Sequence, residues 1–382
     1  MKKYLFILAA AATMAACSND DGLSAQATDT AGRDIVFETD VPGITRSMAN
    51  GLTNYGAGDD KFYIWADQME LVEGTYTEHT GFIDAWNFTT TAVTGRLTNP
   101  NVVYKWPTVN RLRFYAIHGN FSGANSAVTA NDSPFPKATL TEEEAAKSEN
   151  LGPLRHTVPT LQVSTQEGRN NYQYADLLYA VVPTTGYVAM VPLHFYHLMS
   201  KVVVQLRKGE GITLEELQWA TVKIVKVKNQ VDFLPKKLTV TEGAAESGRL
   251  SFNAAELTNA DTRTAALKGM LSLPEQSLVD IDLRVLQENG TQVAVSTTDL
   301  VTQPEWAIVV PQLFADDSEA AIEISWKGKT VRVPLKGQEF EAGKQYTYNI
   351  TLNHVGTSYG FSPTVSTWGE EEERAIDVKS GS

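Results

Sequence analysis

Short runs in which apolar and polar residues alternate recur along the whole chain, each followed by turn-forming residues. Clear examples cover residues 112–117, 279–285, 322–326, 331–335 and 345–352. Because successive side chains of a β-strand point to opposite faces, a period of two predicts strands with one buried face. Convincing helical patterns are scarce. The 382 residues are therefore expected to form an all-β chain of β-sandwiches, long enough for two domains and best divided between residues 186 and 187.

The amino-acid composition limits the classes of molecule that the chain is expected to bind. The chain carries 32 Lys and Arg against 45 Asp and Glu, a net charge of −13, so a phosphate backbone would be repelled and nucleic acid is not expected as a partner. A single cysteine cannot form an internal disulfide or a thiolate metal site.

No residue pattern typical of catalysis is present. Of the six histidines only His194 and His197 are close in sequence, and in a strand their side chains would point to opposite faces. Nucleophile-elbow and phosphate-loop motifs are missing from the sequence. We therefore expect no enzymatic activity, no cofactor and no metal.

The N-terminus has the pattern of a secretory signal. Two lysines, a short apolar stretch and small residues fill residues 1–16, and the only cysteine, Cys17, follows Met14-Ala15-Ala16. This resembles a bacterial lipobox, which implies that Cys17 is lipidated and becomes the new N-terminus after cleavage. An ordinary signal peptide with an incidental cysteine is the alternative. Acyl chains on Cys17 would hold the precursor at a membrane surface.

The first strand is predicted at residues 34–41. Ile35, Phe37 and Val41 share one face with Thr39, and a Pro-Gly pair then ends the run. Arg46 follows in a polar loop and is compatible with two readings. It is either a surface residue or the site at which a trypsin-like protease cuts between Arg46 and Ser47, since exposed loops are where nicking concentrates.

The C-terminal tail, residues 364–382, contains two short stretches that could form strands. In the first, Val365 lies on one face and Trp368 on the other; in the second, Ile376 and Val378 share a face. Four glutamates at residues 370–373 separate the two stretches and are typical of a solvated segment.

The order of these features resembles the fimbrillin family, the pilin subunits of type V pili of Gram-negative anaerobes. It comprises the lipobox, the first strand, Thr45-Arg46-Ser47, residues 193–204 and the tail around Trp368, with further agreement at residues 103–107, 175–180 and 340–348. The resemblance implies two transthyretin-like β-sandwich domains, here residues 47–186 and 187–363, after a signal peptide (1–16) and a lipidated pro-segment (17–46). It also implies a structural protein without enzymatic activity.

For the individual residues, the resemblance implies a route of assembly. The precursor would reach the cell outer membrane as a lipoprotein, and a trypsin-like protease would cut after Arg46, removing the lipid on Cys17 together with the strand that carries Ile35, Phe37 and Val41. A donor strand from another pilin subunit, containing either Val365 and Trp368 or Ile376 and Val378, would replace it. Head-to-tail exchange of this kind builds an open filament, here an extracellular fimbrium that serves adhesion.

Two other functions fit the same features. One is a surface glycan-binding lipoprotein of a nutrient-uptake system, in which residues 35–41 form a permanent strand. The other is a tip or anchor subunit of the pilus that is never cut. The ligand on a host or bacterial surface, the protease and the position of the subunit in the filament are not determined by the sequence.

Overall fold

The computed structural model describes residues 32–40, 62–73, 75–90, 96–98, 102–119, 154–162, 175–209, 211, 213, 220–235, 237–238, 251–252, 256–257, 260–283, 305–326, 328–352 and 364–368. Six predicted site residues lie outside these ranges: Cys17, Val41, Arg46, Ser47, Ile376 and Val378.

Seven of the first eight strands form one sheet that closes on itself, in the order β1-β4-β3-β2-β5-β7-β8. The eight strands are β1 (Phe37–Asp40), β2 (Phe62–Val72), β3 (Thr75–Thr90), β4 (Arg96–Thr98), β5 (Arg111–His118), β6 (Leu154–Thr157), β7 (Leu178–Thr185) and β8 (Val191–His197). We refer to the seven-stranded assembly as the closed sheet.

The remaining strands build smaller sheets. They are β9 (Ser200–Lys208), β10 (Thr221–Val227), β11 (Gln230–Phe233), β12 (Lys237–Leu238), β13 (Ser251–Phe252), β14 (Leu271–Ser272), β15 (Val279–Asp282), β16 (Glu305–Val309), β17 (Gln312–Leu313), β18 (Ala321–Trp326), β19 (Lys329–Pro334), β20 (Glu339–Phe340), β21 (Lys344–Leu352) and β22 (Thr364–Thr367). Two of their sheets have four strands, β16-β9-β21-β22 and β15-β10-β18-β19. A helix, α1 (Ala260–Lys268), precedes β14.

The predicted all-β fold is confirmed, and so are particular strands within it. The strands expected at residues 322–326 and 331–335 are the antiparallel pair β18 and β19. In β21 every second residue is buried, as the alternation predicted: Tyr346, Tyr348, Ile350 and Leu352. Helix α1 was not predicted, and its weak amphipathic pattern explains why.

Strand β5 is buried on both faces, which gives the closed sheet two separate hydrophobic cores. Leu112 and Phe114 pack with Phe37 and Leu193 in a cluster on the inner face of the closed sheet, here named the inner core. Tyr115 and its neighbours on the outer face pack instead against the C-terminal sheets in a second cluster, the junction core.

The junction core joins the two halves of the chain. Strand β6 pairs with β11 rather than with the closed sheet, and Arg155 forms a two-pronged ion pair with Asp232 at 2.8 and 2.9 Å. The Gln162 side chain hydrogen-bonds both backbone groups of Ile308, at 2.6 and 2.8 Å. Residues 154–162 therefore belong structurally to the C-terminal half.

The strand pairing bears on the domain boundary. Strand β8 lies after residue 186, yet it pairs with β7 and β1 in the closed sheet. We propose that the first domain extends to residue 197 rather than ending at 186. The description as two transthyretin-like domains stays a prediction.

In the described part of the chain, no helix is long and apolar enough to cross a membrane.

Candidate functional site

Strand β1 is the element that closes the sheet, because it is hydrogen-bonded between two other strands. It runs parallel to β8, with Phe37 opposite Val191 and Asp40 opposite His194, and antiparallel to β4, with Phe37 opposite Leu97. Without β1, both β4 and β8 would become edge strands with unpaired backbone groups.

The buried face of β1 fills the inner core. Ile35 is 8% exposed and Phe37 only 1% exposed, whereas Glu38 is exposed. The Phe37 ring meets Phe114 edge-on, with the ring centroids 5.5 Å apart and the planes at 84°. This is the alternation that the sequence predicted for residues 35–38.

The residues before β1 are held at one end of the closed sheet. Backbone bonds join Trp106 N to Arg33 O at 2.9 Å and Ile35 N to Tyr104 O at 2.8 Å. The Arg33 guanidinium lies 5.1 Å from the centre of the Tyr187 ring, and its Nη1 donates to the Tyr187 hydroxyl at 3.2 Å. Lys105 Nζ donates to Gly32 O at 2.8 Å and approaches Asp34 Oδ1 at 3.3 Å. A cation–π contact and one exposed ion pair thus accompany the backbone pairing.

The contacts of β1 are separate from those that join the two halves. Ile35 and Phe37 belong to the inner core, and neither is part of the junction core. A loss of β1 would therefore expose the inner core and leave the packing between the halves in place.

The first stretch of the tail is part of the fold of its own chain. Strand β22 pairs antiparallel with β21, with Thr364 opposite Thr347 and Thr367 opposite Lys344. It is the last strand of its sheet, and Val365 is 39% exposed. Trp368 follows directly and is 7% exposed, with its backbone N–H donating to Gly343 O at 2.8 Å.

A buried polar cluster lies where Trp368 meets the closed sheet. His197 Nδ1 donates to both carboxylate oxygens of Asp176, at 3.0 and 2.9 Å, and His118 Nδ1 donates to the Asp176 backbone oxygen at 3.1 Å. His156 Nε2 donates to Ala175 O at 2.9 Å. Burial lowers the pKa of His156 to about 4, although this hydrogen bond and the Asp176 charge act in the opposite direction.

Lys201 stands beside this cluster. Its ammonium lies 4.8 Å from the centre of the Trp306 ring and 6.0 Å from that of Trp368. Burial lowers the pKa of Lys201 to about 8, a shift that the nearby Asp176 carboxylate partly offsets.

Sequence reasoning missed the pairing of Asp176 with His197. The two residues are 21 positions apart, whereas spacing in the sequence draws attention only to the nearby His194. The signal that could have revealed the pair is an aspartate inside the apolar run at residues 175–180, because a buried carboxylate needs a partner.

The described residues were also compared with the donor sets that bind metals. Among the described residues, no group of three or more His, Cys, Asp or Glu side chains is arranged to hold a metal ion. What the chain offers is a strand near its N-terminus, held between two neighbours, and a C-terminal tail that continues beyond Trp368.

Comparisons with solved structures identified proteins that this chain resembles. A proposed cell adhesion protein from Bacteroides ovatus superimposes with a TM-score of 0.53 and 13% identity, covering 89% of this chain and 99% of that one. A proposed cell adhesion protein from Bacteroides uniformis gives a TM-score of 0.46 and 18% identity, covering 88% and 99% of the two chains. The tip fimbrial protein Mfa3 from Porphyromonas gingivalis gives 0.40 and 7%, covering 88% and 100%.

No curated protein matches the chain. The model of the fimbrillin-like family matches residues 45–368, which is most of the 382 residues and confirms the resemblance seen in the sequence. The chain belongs to the fimbrillin-like family.

Proposed function

We propose that the chain is a structural subunit of a type V pilus that polymerises by strand exchange after proteolysis removes β1. The observation that carries the proposal is the position of β1. A strand close to the N-terminus is hydrogen-bonded on both sides and supplies Phe37 to the inner core, so its removal opens a groove in an otherwise closed sheet.

The groove would bind a strand strongly for two reasons. The backbone groups of β4 and β8 would lack partners, and apolar side chains that β1 covers would meet water, among them Leu97, Phe114, Val191 and Leu193. A strand from another subunit satisfies both needs by β-augmentation. Because the donor and the groove are different surfaces, the contact is head-to-tail and produces a filament.

Cleavage after Arg46 fits the position of β1. Arg46 is six positions after Asp40, enough chain to reach about 20 Å beyond the end of β1. The family match covers residues 45–368 and so begins after β1.

The second tail stretch is the better donor. Thr364–Thr367 and Trp368 are already paired and packed within their own chain, so donating them would disrupt the C-terminal sheet. Within residues 369–382, Ile376 and Val378 are two positions apart, so in a strand both side chains lie on one face. We infer that these residues fill the groove of the next subunit.

The remaining steps follow the family. Cys17 carries the lipid that holds the precursor at the outer membrane, the protease is trypsin-like, and the assembled filament is an extracellular adhesive fimbrium. The family membership supports association with other pilus subunits and a location at the cell surface.

Limited digestion of an Arg374→Lys parent with an arginine-specific protease tests the proposal, because this substitution keeps the positive charge and protects the donor stretch from the same protease. We expect the parent to gain an N-terminus at Ser47 and to form a ladder of polymers on an unboiled gel. In this background Arg46→Ala should form none, while Arg33→Ala, the matched control, should still polymerise. Absence of a ladder from the parent, or an equal ladder from Arg46→Ala, would contradict the proposal. Unfolding without polymers would favour a permanent strand, as in a glycan-binding lipoprotein.

A further inference from the structure

The tail repeats the residue pattern with which β1 enters the closed sheet. Arg33-Asp34-Ile35-Val36-Phe37 has the order arginine, any residue, isoleucine, any residue, large apolar residue, and Arg374-Ala375-Ile376-Asp377-Val378 has the same order. The spacing of two places both apolar residues on one strand face. The two segments are thus matched in pattern and in strand periodicity.

We propose that the tail of a second copy of this chain docks in the register of β1, with Arg374 seated on Tyr187 in place of Arg33. Ile376 then takes the position of Ile35, and Val378 takes that of Phe37. This inference rests on the proposed strand exchange and adds the residue that fixes its register and direction.

Tyr187 is the residue against which the arginine would pack. The ring contacts the Arg33 guanidinium on one side, and Trp106 packs edge-on against it, with centroids 5.8 Å apart. Arg33 lies in the segment that proteolysis would remove, whereas Tyr187 and Trp106 stay with the mature subunit. Cleavage therefore vacates a site that already binds an arginine.

Charge near the groove entrance also matches the tail. Lys105 now contacts Gly32 O and the Asp34 carboxylate, and both partners would leave with β1. The tail has Ala375 at the position of Asp34, but four glutamates at residues 370–373 directly precede Arg374. In the proposed register these carboxylates arrive at the end of the groove where Lys105 has lost its partner. The acidic run thus remains at the rim, outside the apolar groove.

The match also determines the direction of the donor. With arginine before isoleucine, the tail must run parallel to β8, as β1 does, with Val378 opposite Val191. The match ends after this point, where Lys379 stands in the position of Glu38. The first tail stretch, Thr364–Thr367, has no arginine in the corresponding place.

Testing the register requires a cut that spares Arg374. A variant whose residues 41–46 carry the recognition sequence of a site-specific viral protease can be cut before Ser47 without cleaving the tail. In this background we expect Arg374→Ala to slow polymerisation about tenfold, because a cation–π contact and a hydrogen bond are lost. Arg374→Lys should be intermediate, and Lys379→Ala, outside the match, should behave as wild type.

A pair of introduced cysteines tests the register of the tail in the groove directly. Phe37 lies opposite Leu97 on β4, so Val378→Cys in one copy should form a disulfide with Leu97→Cys in another, giving a cross-linked dimer. Ile376→Cys should not cross-link with Leu97→Cys. The wild-type Cys17 leaves with the cleaved segment and does not interfere.

Each outcome distinguishes the two proposals. If the cleaved parent does not polymerise, strand exchange itself fails, and this inference fails with it. If it polymerises but Arg374→Ala assembles as fast as Lys379→Ala, or Ile376→Cys cross-links as well as Val378→Cys, the register is overturned and strand exchange stands. Both cysteines can also be placed in one chain. A disulfide within that chain, with no cross-linked dimer, would show that the tail fills its own groove, which also overturns docking by a second copy.

Discussion

The Trp368 indole stacks face to face on the His197 imidazole, with ring centroids 3.7 Å apart and planes only 9° apart. His197 is the last residue of β8, and the same strand pairs with β1 at residues 191–194. Strand β8 therefore forms one edge of the proposed acceptor groove. Its last residue, His197, packs against Trp368, after which the proposed donor tail begins.

Truncation of Trp368 should strongly destabilise the chain. Trp368→Ala removes a large buried ring from His197 and from the junction core, a change that typically costs 3–5 kcal/mol. Val365→Ala, a substitution at an exposed position of β22, directly before Trp368, should change the unfolding free energy by at most about 0.5 kcal/mol. Urea denaturation measures both. Similar midpoints for the two variants would show that the stack contributes little.

Phe37→Ala should weaken the attachment of β1. The ring is buried in the inner core against Phe114, so its loss should cost roughly 3–5 kcal/mol. Glu38→Ala, at the exposed neighbouring position, is the matched control and should be close to neutral. Hydrogen exchange of the β1 and β8 amides would report the effect locally. Unchanged protection in Phe37→Ala would contradict the role of Phe37 in seating the strand.

His156 should make stability fall in acid. Burial lowers its pKa to about 4, below the usual 6.5, so the unfolded chain binds the proton more tightly. The unfolding free energy should fall by roughly 3 kcal/mol as the pH drops from 6.5 to 4, in addition to the effect of the carboxylates. His156→Gln, which keeps a donor for Ala175 O, should lack this component. His79→Gln, at an exposed site, should retain it; equal pH profiles for all three proteins would contradict the prediction.

Lys201 should produce the opposite trend in mild alkali. Its pKa of about 8 in the folded chain lies below the ordinary 10.5, so the unfolded chain holds the proton over this interval. Stability should therefore rise by about 1–2 kcal/mol from pH 8 to 9.5. Lys201→Met should remove the rise, whereas Lys223→Met, at a half-exposed ion pair, should not. Thermal melts across this interval would test it, and an identical rise in Lys201→Met would assign it to another group.

Much of the local structure could be predicted because alternation reports burial directly. Spacing alone places Ile35 and Phe37 on one face of the first strand, and both are buried; the alternation over residues 345–352 likewise agrees with the buried Tyr346 and Tyr348. Pairing between distant segments leaves no comparable local signal. The partnership of β6 with β11 and the ion pair of Arg155 with Asp232 follow from packing that brings residues 77 positions apart together.

For this chain, the sequence alone determined the all-β class, the buried face of the first strand and membership of the fimbrillin-like family, since each depends on residue order or on a period of two. Only the tertiary structure decided that β1 lies between β4 and β8 and so closes a sheet, and that Trp368 stacks on His197 beside Asp176. The physical reason is that a strand's neighbours are selected by the packing and hydrogen bonding of the whole sheet, whereas its buried face is selected by its own side chains.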